Sequence, residues 1–344
     1  MKMSSYDKRI KVLVIDDSML FREIIKNGIS KDPYIQVIGV AGDPYIASDM
    51  IIELEPDVLT LDLEMPRMNG LEFLKKLLPQ YSIPVVVVSS VSDDVFNVLA
   101  AGAVDFVTKP NVSKSDDLEK FFNELVMKIK IASVSKIKNF KQDYSKPVFE
   151  ATIKNSNKFI AVGASTGGTE AFYNVLKTLP KDAPGIVLVQ HMPPVFTKMY
   201  AERLNRACNM EVKEAEDGDV IRRGRVLIAP GGYHMTVYKD KDKYYVKCFL
   251  GENVNGHCPS VDVMFESIAN TGAKDAIGVI LTGMGSDGAK GLLNMRNAGS
   301  YTIGQDEKTS VVYGMPMVAY NMGAVIKQVP LDKISEVIYS QINS

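Results

Sequence analysis

This 344-residue chain has little of several things that would indicate its function directly. Its three cysteines, Cys208, Cys248 and Cys258, are odd in number and lack C-x-x-C spacing, which argues against a disulfide framework or a zinc site. Its 40 basic and 41 acidic residues nearly cancel, so no overall charge is available to bind nucleic acid or an anionic membrane. No apolar run approaches the roughly 20 residues of a membrane span, and the N-terminal residues show no export signal. We therefore expect a protein of the reducing cytoplasm that does not insert into membranes, with a monomer as the default.

Short apolar runs alternate with longer amphipathic segments, a pattern typical of parallel sheets covered by helices. The first series of predicted strands comprises 11–15, 37–41, 58–63, 85–88 and 105–108, followed by a helix over 116–131. The second comprises 159–162, 186–189, 226–228, 276–281 and 301–303. The chain is thus predicted to be α/β, with two doubly wound parallel-sheet domains, an N-terminal one of five β/α units and a larger C-terminal one.

The predicted domains are residues 1–131 and 159–344, and residues 132–158 are predicted to be a linker. This stretch is rich in lysine, serine and asparagine and has few apolar anchors. Its lysines, such as Lys136, Lys138 and Lys141, are a candidate basic docking patch. A solvated connector is the favoured interpretation of such a charge run.

Acidic residues in the first series fall where strands end. Asp16 and Asp17 follow the first strand, and Asp62 lies at the end of the third. Because the carboxyl ends of parallel strands share one sheet edge, these three carboxylates are expected to converge. Crowded like charges need a cation, and an all-oxygen site suits Mg²⁺. Lys109 would reach the same edge as a counter-charge, and Ser89 would supply a hydroxyl there. Asp16 alone would most often be a helix cap. The prediction of a Mg²⁺ site therefore depends on the three aspartates occurring together with Lys109 and Ser89.

Residues 8–131 resemble the receiver domain of bacterial response regulators. The motifs that carry the resemblance are Val14-Ile15-Asp16-Asp17-Ser18, Leu61-Asp62-Leu63-Glu64-Met65-Pro66-Arg67-Met68-Asn69-Gly70 and Thr108-Lys109-Pro110. The resemblance implies that Asp62 accepts a phosphoryl group from a histidine kinase of the chemotaxis pathway, and that Ser89 and Lys109 sense it. The implied Mg²⁺ ligands are Asp16, Asp17, Asp62 and the backbone carbonyl of Glu64. Phe106 occupies the family's aromatic switch position, and a buried core aromatic is an equal interpretation.

Ser165 lies in Gly163-Ala164-Ser165-Thr166-Gly167-Gly168, directly after an apolar run. This G-x-S-x-G spacing is typical of a nucleophile on a sharp strand-to-helix turn, where glycines permit the turn and following N–H groups point toward a forming oxyanion. A phosphate-binding turn, or merely a tight one, is an alternative for the motif taken alone. The other residues of the domain favour the nucleophile.

Ser165 needs a base, and the chain has three histidines. His191 ends a predicted strand and is expected at the same sheet edge as Ser165, so it is the best candidate. His234 and His257 are predicted in loops, as substrate contacts or, preferably, as structural residues. Asp287 follows another strand and completes a serine, base and acid constellation. The order Ser, His, Asp differs from that of α/β-hydrolases, which favours a convergent site.

The segment 283–288 also matches the dinucleotide-binding pattern G-x-G-x-x-G, and Asp306 lies where a ribose-binding acid would. A nicotinamide-dependent oxidoreductase is therefore an alternative. It ranks low because Asp287 would set a negative charge beside a pyrophosphate, and because the motif opens a late β/α unit of the domain.

From Phe159 to about Ile342 the sequence resembles the catalytic domain of the chemotaxis protein-glutamate methylesterase and glutamine deamidase family. The motifs are Gly163 to Gly168, Gln190-His191-Met192-Pro193-Pro194, Ile228-Ala229-Pro230-Gly231-Gly232, Pro259-Ser260-Val261-Asp262, Leu281 to Gly288 and Tyr313-Gly314-Met315-Pro316. The resemblance implies a Rossmann-like domain with Ser165, His191 and Asp287 as the triad. It also implies oxyanion N–H groups from Thr166 and Met284. Ser310 and Ser286 stand where relatives commonly carry cysteine and asparagine.

The implied reaction is hydrolysis of glutamate γ-methyl esters, and deamidation of glutamines, on the cytoplasmic helices of chemoreceptors. Ester hydrolysis would need no cofactor, and Mg²⁺ would serve receiver phosphorylation. We expect the unphosphorylated receiver to cover the Ser165 edge and phosphorylation of Asp62 to loosen that contact. A non-catalytic, phosphorylation-dependent adaptor remains the main alternative. A DNA-binding output is disfavoured because no basic recognition helix is visible.

Overall fold

The computed structural model describes residues 9–90, 94–136, 158–272 and 274–343. The chain divides into two compact units, residues 1–142 and 143–344, and each unit is described here by itself. Most of the predicted linker, including Lys138 and Lys141, lies outside the described residues. The last helix of unit 1 ends at Ser133. The predicted domain and linker boundaries stay predictions.

Unit 1 is a five-stranded parallel sheet, as predicted, with strand order β2-β1-β3-β4-β5. Its strands are β1 (Ile10–Ile15), β2 (Ile35–Ala41), β3 (Val58–Leu61), β4 (Val85–Ser89) and β5 (Asp105–Thr108). Its helices are α1 (Met19–Ile29), α2 (Pro44–Leu54), α3 (Gly70–Leu77), α4 (Asp94–Ala101) and α5 (Ser115–Ser133). The strand order reverses at β1 and β3, so the carboxyl ends of these two strands border the crevice typical of ligand sites in this architecture.

Local sequence explains where these helices begin. Ser18, Asp43 and Asn69 each accept a backbone hydrogen bond from the first turn of the helix that follows. Such caps satisfy N–H groups that a helix leaves unpaired. All residues of β3 and β4 are buried, because helices cover both faces of the sheet.

Unit 2 contains a seven-stranded parallel sheet with the order β14-β13-β12-β6-β7-β9-β8 and a separate antiparallel hairpin. The sheet strands are β6 (Phe159–Ala164), β7 (Ile186–Gln190), β8 (Glu211–Glu214), β9 (Arg225–Ile228), β12 (Ala276–Ile280), β13 (Tyr301–Gln305) and β14 (Lys327–Val329). The hairpin is β10 (His234–Asp240) and β11 (Lys243–Phe249). The helices are α6 (Gly168–Leu176), α7 (Phe196–Ala207), α8 (Val261–Asn270), α9 (Ala289–Asn297), α10 (Met315–Asn321) and α11 (Leu331–Asn343).

The predicted strands of unit 2 include the central ones and omit the peripheral ones. Strands β8 and β14 lie at the two edges of the sheet and carry polar residues such as Glu211 and Lys327, so they lack the apolar run of a strand buried on both faces. The hairpin was also missed. Strands β6, β12 and β7 are neighbours, so their carboxyl ends meet in the middle of one edge. None of the described helices is both long and apolar enough to span a membrane.

Candidate active site and phosphorylation site

The turn between β6 and α6 holds Ser165 at the carboxyl edge of the sheet. The N–H of Ser165 donates to Thr282 O at 3.0 Å, and its carbonyl accepts from Gly168 N at 2.7 Å and Gln190 Nε2 at 2.9 Å. Gly167 adopts a left-handed conformation with φ 75°, which favours glycine, and a Cβ there would lie 2.7 Å from Val311. The serine is thus fixed by its backbone and remains partly exposed.

His191 is brought beside this turn by strand pairing. Its N–H donates to Ala164 O at 3.1 Å, and its ring Nε2 lies 2.8 Å from Asp287 Oδ2. An ionised carboxylate only accepts hydrogen bonds, so Nε2 carries the proton in this pair. Nδ1 is buried and has no hydrogen-bond partner within the described residues. It is therefore the nitrogen left to accept a proton.

Asp287 is buried and held by several donors in addition to His191. Asn255 Nδ2 and Ser260 Oγ each donate to its Oδ1 at 2.8 Å, and the Val261 N–H donates to Oδ2 at 2.7 Å. Burial by itself raises the pKa of this carboxyl, but the hydrogen bond and charge interaction with His191, together with the bonds from Asn255 and Val261, hold the pKa well below its usual range. Asp287 is thus a permanent anion at neutral pH.

Gly283, the residue before Met284, lies very close to Ser165 because it has no side chain. A Cβ on Gly283 would lie 2.6 Å from Ser165 Cβ, which is closer than real Cβ contacts. The Gly283 N–H donates to Val312 O, and its carbonyl accepts from the N–H groups of Gly314 and Met315. This backbone arrangement fixes the start of the segment that contains Met284 and Asp287. The side chain of Met284 is exposed, whereas that of Thr166 is buried.

The other two histidines are both close to this region. His234 was predicted in a loop, and that prediction is wrong: it begins strand β10, is buried, and its ring bonds Glu252 O at 2.8 Å and Ser260 N at 3.2 Å. These contacts favour a structural role for His234 over a contact with substrate. His257 does lie in a loop, and its ring stacks on the ring of His191 with centroids 3.6 Å apart.

Sequence reasoning missed Asn255 and Ser260 as partners of Asp287. Ser260 belongs to the motif Pro259-Ser260-Val261-Asp262, but the motif does not indicate a role for it. Asn255 lies 32 positions from Asp287 along the chain, and no local pattern connects the two. Asn255 also donates to Asp262 Oδ2 at 2.8 Å, so one side-chain amide joins two buried carboxylates. Burial raises the pKa of Asp262, and the charge of Asp287 adds to that effect.

In unit 1 the predicted acidic cluster is present. Oxygen atoms of Asp16, Asp17 and Asp62 all lie within 4.8 Å of one another. Lys109 Nζ lies 2.9 Å from Asp16 Oδ2 and 2.7 Å from Asp62 Oδ2. Burial lowers the pKa of Lys109, but hydrogen bonds to Asp62 and Asp16 outweigh it and raise the pKa overall. Burial also raises the pKa of Asp16, and the charge of Asp62 adds to it.

The donor set fits Mg²⁺. It consists of carboxylate oxygens of which one, on Asp17, is exposed, an arrangement that leaves room for coordinated water. Ser89 is buried at the end of β4, and its hydroxyl has no hydrogen-bond partner within the described residues. The N–H of Glu64 donates to Asp62 Oδ1 at 3.3 Å. Phe106 is buried, with Lys128 Nζ 5.3 Å from its ring centroid.

The dinucleotide pattern at 283–288 has another structural role. Its Asp287 is the hydrogen-bonded anion described above, and its last residue, Gly288, precedes α9 with φ 87°. Asp306, the candidate ribose-binding acid, accepts hydrogen bonds from Thr309 N at 2.9 Å and Thr309 Oγ1 at 2.6 Å. Gly288 thus precedes a helix, while Asp287 and Asp306 accept hydrogen bonds from neighbouring residues. This arrangement disfavours a pyrophosphate at this turn.

Known proteins similar to this chain match both of its units. Residues 160–338 match the family described as CheB methylesterase, and residues 12–122 match the response regulator receiver domain. The protein-glutamate methylesterase/protein-glutamine glutaminase 2 of Syntrophomonas wolfei is 54% identical over 337 residues, 98% of each chain. The corresponding protein of Salmonella typhi is 44% identical over 341 residues, again 98% of each chain. The crystal structure of the Thermotoga maritima CheB methylesterase catalytic domain, 38% identical, superposes with a TM-score of 0.53 and covers 54% of this chain and all of its own.

Proposed function

This chain belongs to the CheB methylesterase family, and we propose that it hydrolyses glutamate γ-methyl esters and deamidates glutamines on chemoreceptors, with Ser165 as nucleophile. The relatives named above carry both activities in their names. The protein would act in the cytoplasm on receptor helices, under control of a receiver phosphorylated on Asp62. The oxidoreductase alternative has only the sequence pattern at 283–288 in its favour, and no contact described above favours the adaptor.

One observation supports this proposal more than any other. The buried Asp287 carboxylate lies 2.8 Å from Nε2 of His191, while the opposite nitrogen, Nδ1, has no hydrogen-bond partner within the described residues and belongs to a ring beside the Ser165 turn. An anion on one side of an imidazole fixes its tautomer and stabilises the imidazolium that forms during reaction. His191 would thus act as general base toward Ser165.

The chemistry is an acyl transfer in two stages. Ser165 Oγ attacks the side-chain carbonyl carbon while Nδ1 of His191 takes the hydroxyl proton. The tetrahedral intermediate then expels methanol, or ammonia from glutamine, and the imidazolium returns the proton to this leaving group. Water next attacks the acyl-enzyme ester in the same way, which releases the glutamate carboxyl group and restores Ser165. Every step uses groups of this chain and water.

Thr166 and Met284 are proposed to donate backbone N–H groups to the oxyanion. Both follow residues whose backbone is fixed, Ser165 and Gly283, and such preorganised donors need no rearrangement when charge develops. Each donor of this kind typically contributes about 3 kcal/mol to transition-state stabilisation. Because Gly283 approaches Ser165 so closely, the two donors would lie on either side of the attacked carbonyl.

Regulation is proposed to begin at Asp62. A histidine kinase would donate the phosphoryl group, and Mg²⁺ would be held by Asp16, Asp17, Asp62 and the Glu64 carbonyl. The cation, when bound, neutralises charge on the transferring phosphoryl group. Lys109, already paired with Asp62, is suited to bind phosphoryl oxygens. So is the hydroxyl of Ser89, which has no hydrogen-bond partner among the described residues.

Methanol release from methylated receptor membranes tests the proposal. We compare the wild-type chain, Ser165→Ala and the matched control Ser286→Ala, each with and without a phosphodonor and Mg²⁺. Ser286 is an exposed serine near the same edge, and its carbonyl accepts a hydrogen bond from the Ala289 N–H. We expect Ser165→Ala to lower the rate at least about 10³-fold and Ser286→Ala to have little effect. Equal release by Ser165→Ala and wild type would refute the serine mechanism.

A further inference from the structure

The ring of His257 lies flat against the ring of His191. The two centroids are 3.6 Å apart and the planes differ by 14°. We propose that His257 is a positioning residue, which by this stacking holds the imidazole of His191 in the orientation that directs Nδ1 toward Ser165. The inference rests on the proposed function, since it assigns a task only if His191 is the base.

The stack is imposed by the surrounding structure and not by a preference of the rings. Aromatic pairs favour offset or edge-to-face arrangements with centroids about 4.5–7 Å apart. A closer, nearly parallel contact therefore needs a scaffold that holds it. His257 is only partly buried, so filling the core does not explain its ring position either.

The scaffold is a tight turn over residues 254–257. Val254 and His257 exchange two backbone hydrogen bonds, each of 3.0 Å. Asn255 has φ 53° and Gly256 has φ 83°, so both central residues are left-handed. The side chain of Asn255 then ties the turn to Asp287 and Asp262 at 2.8 Å each. The turn that carries His257 is thus fastened to the same carboxylate that bonds His191.

The stacked ring of His257 restrains the orientation of the His191 ring in a way that the hydrogen bond to Asp287 alone does not. A single hydrogen bond at Nε2 restrains one atom of the imidazole and still permits the ring to turn through changes in its side-chain torsions. A flat ring 3.6 Å away blocks this turning on one face. Since Nδ1 must point at the Ser165 hydroxyl as the proton moves, a loosened ring lowers the fraction of productive encounters. The effect belongs to kcat, because the ring of His257 needs no contact with bound substrate and acts only through His191.

Three variants of the full chain separate stacking from other roles: His257→Ala removes the ring, His257→Phe keeps a flat ring without nitrogens, and His257→Leu keeps volume without a flat ring. Val254→Ala is the matched control, because it shortens an exposed side chain in the same turn and preserves the backbone bonds. The measurements are kcat and KM for methanol release, together with the thermal unfolding midpoint of each protein.

We expect His257→Ala and His257→Leu to lower kcat by about tenfold or more, with KM and the unfolding midpoint close to wild type. His257→Phe should restore kcat to within about threefold of wild type. Wild-type kcat in His257→Ala overturns the proposal, and so does a His257→Phe variant as slow as His257→Ala. If Ser165→Ala is active in the same assay, the proposed function fails instead, so the two failures are distinguishable.

Discussion

At the scale of single residues, Asp287 shows how burial and hydrogen bonding compete. Desolvation disfavours its charge, yet the hydrogen bond and charge interaction with His191, together with hydrogen bonds from Asn255 and Val261, lower its pKa. Asp262, buried nearby, has fewer donors and faces the charge of Asp287, so its pKa is raised. Two neighbouring carboxyls are thereby given opposite behaviour by their surroundings.

The charge of Asp287 predicts a pH dependence of stability. A carboxyl whose pKa is depressed in the folded state adds stability above its unfolded pKa, near 3.8, and that stability is lost as the pH falls toward the lower folded pKa. As the pH is lowered from about 5 to 3, we expect the free energy of unfolding to fall less in Asp287→Asn than in the wild type. Chemical denaturation of both proteins over this range measures it. We also expect kcat to fall by about 10⁴-fold, because the tautomer of His191 is no longer fixed.

Asp262→Asn is the matched control for that measurement. The pKa of Asp262 is raised, so in the wild type this carboxyl binds its proton more readily when folded and partly offsets acid destabilisation. The variant should therefore show a steeper loss of stability with falling pH, the reverse of Asp287→Asn. Identical acid slopes in the wild type and Asp287→Asn would contradict the account of Asp287.

At the scale of elements, the site is assembled from the turns that follow three adjacent strands. β6, β7 and β12 end at Ala164, Gln190 and Ile280, and Ser165, His191 and Asp287 come from the segments that follow. The segment after β12 approaches Ser165 so closely that only glycine is accommodated at position 283. The two turns can thus approach this closely because the residue at position 283 is glycine and has no Cβ.

Gly283→Ala tests this close approach. The new Cβ would lie 2.6 Å from Ser165 Cβ and would also meet Met315 Sδ, so the turn that carries Met284 must move away. We expect kcat for methanol release to fall by about 10²-fold, the usual effect of losing one oxyanion donor. The measurement is steady-state kinetics on methylated receptors.

Phosphorylation provides the internal control for the glycine variant. Asp62 belongs to unit 1, whereas Gly283 belongs to unit 2, so labelling of Asp62 by a small-molecule phosphodonor should be unchanged in Gly283→Ala. A variant that keeps both phosphorylation and wild-type kcat would show that the approach of the two turns is not needed for the reaction.

At the scale of the whole molecule, the chain is two compact α/β units with one candidate chemistry in each. The solved Thermotoga maritima relative is a catalytic domain alone, and it covers 54% of this chain. We therefore expect residues 158–344 to fold and to hydrolyse esters without unit 1. That the receiver covers the Ser165 edge before phosphorylation stays a prediction.

Comparison of the full chain with residues 158–344 checks this prediction. A phosphodonor with Mg²⁺ should raise methanol release by the full chain and leave the shorter protein unaffected. The shorter protein should be faster than the unphosphorylated full chain, because unit 1 can no longer cover its site. Asp62→Asn in the full chain is the control and should remain at the unstimulated rate. A shorter protein no faster than this control would argue against inhibition by unit 1.

The sequence alone determined the α/β architecture and predicted the candidate triad and the acidic cluster. Strands buried on both faces must be apolar throughout, and parallel strands must end at a common edge, so runs such as 85–88 and the polar residues that follow the strands could be identified without coordinates. Only the tertiary structure decided how the site residues are held. Asn255, Ser260 and the ring of His257 reach Asp287 and His191 from a loop and a helix start distant in sequence. Such contacts depend on packing between elements, and packing leaves no periodic pattern along the chain.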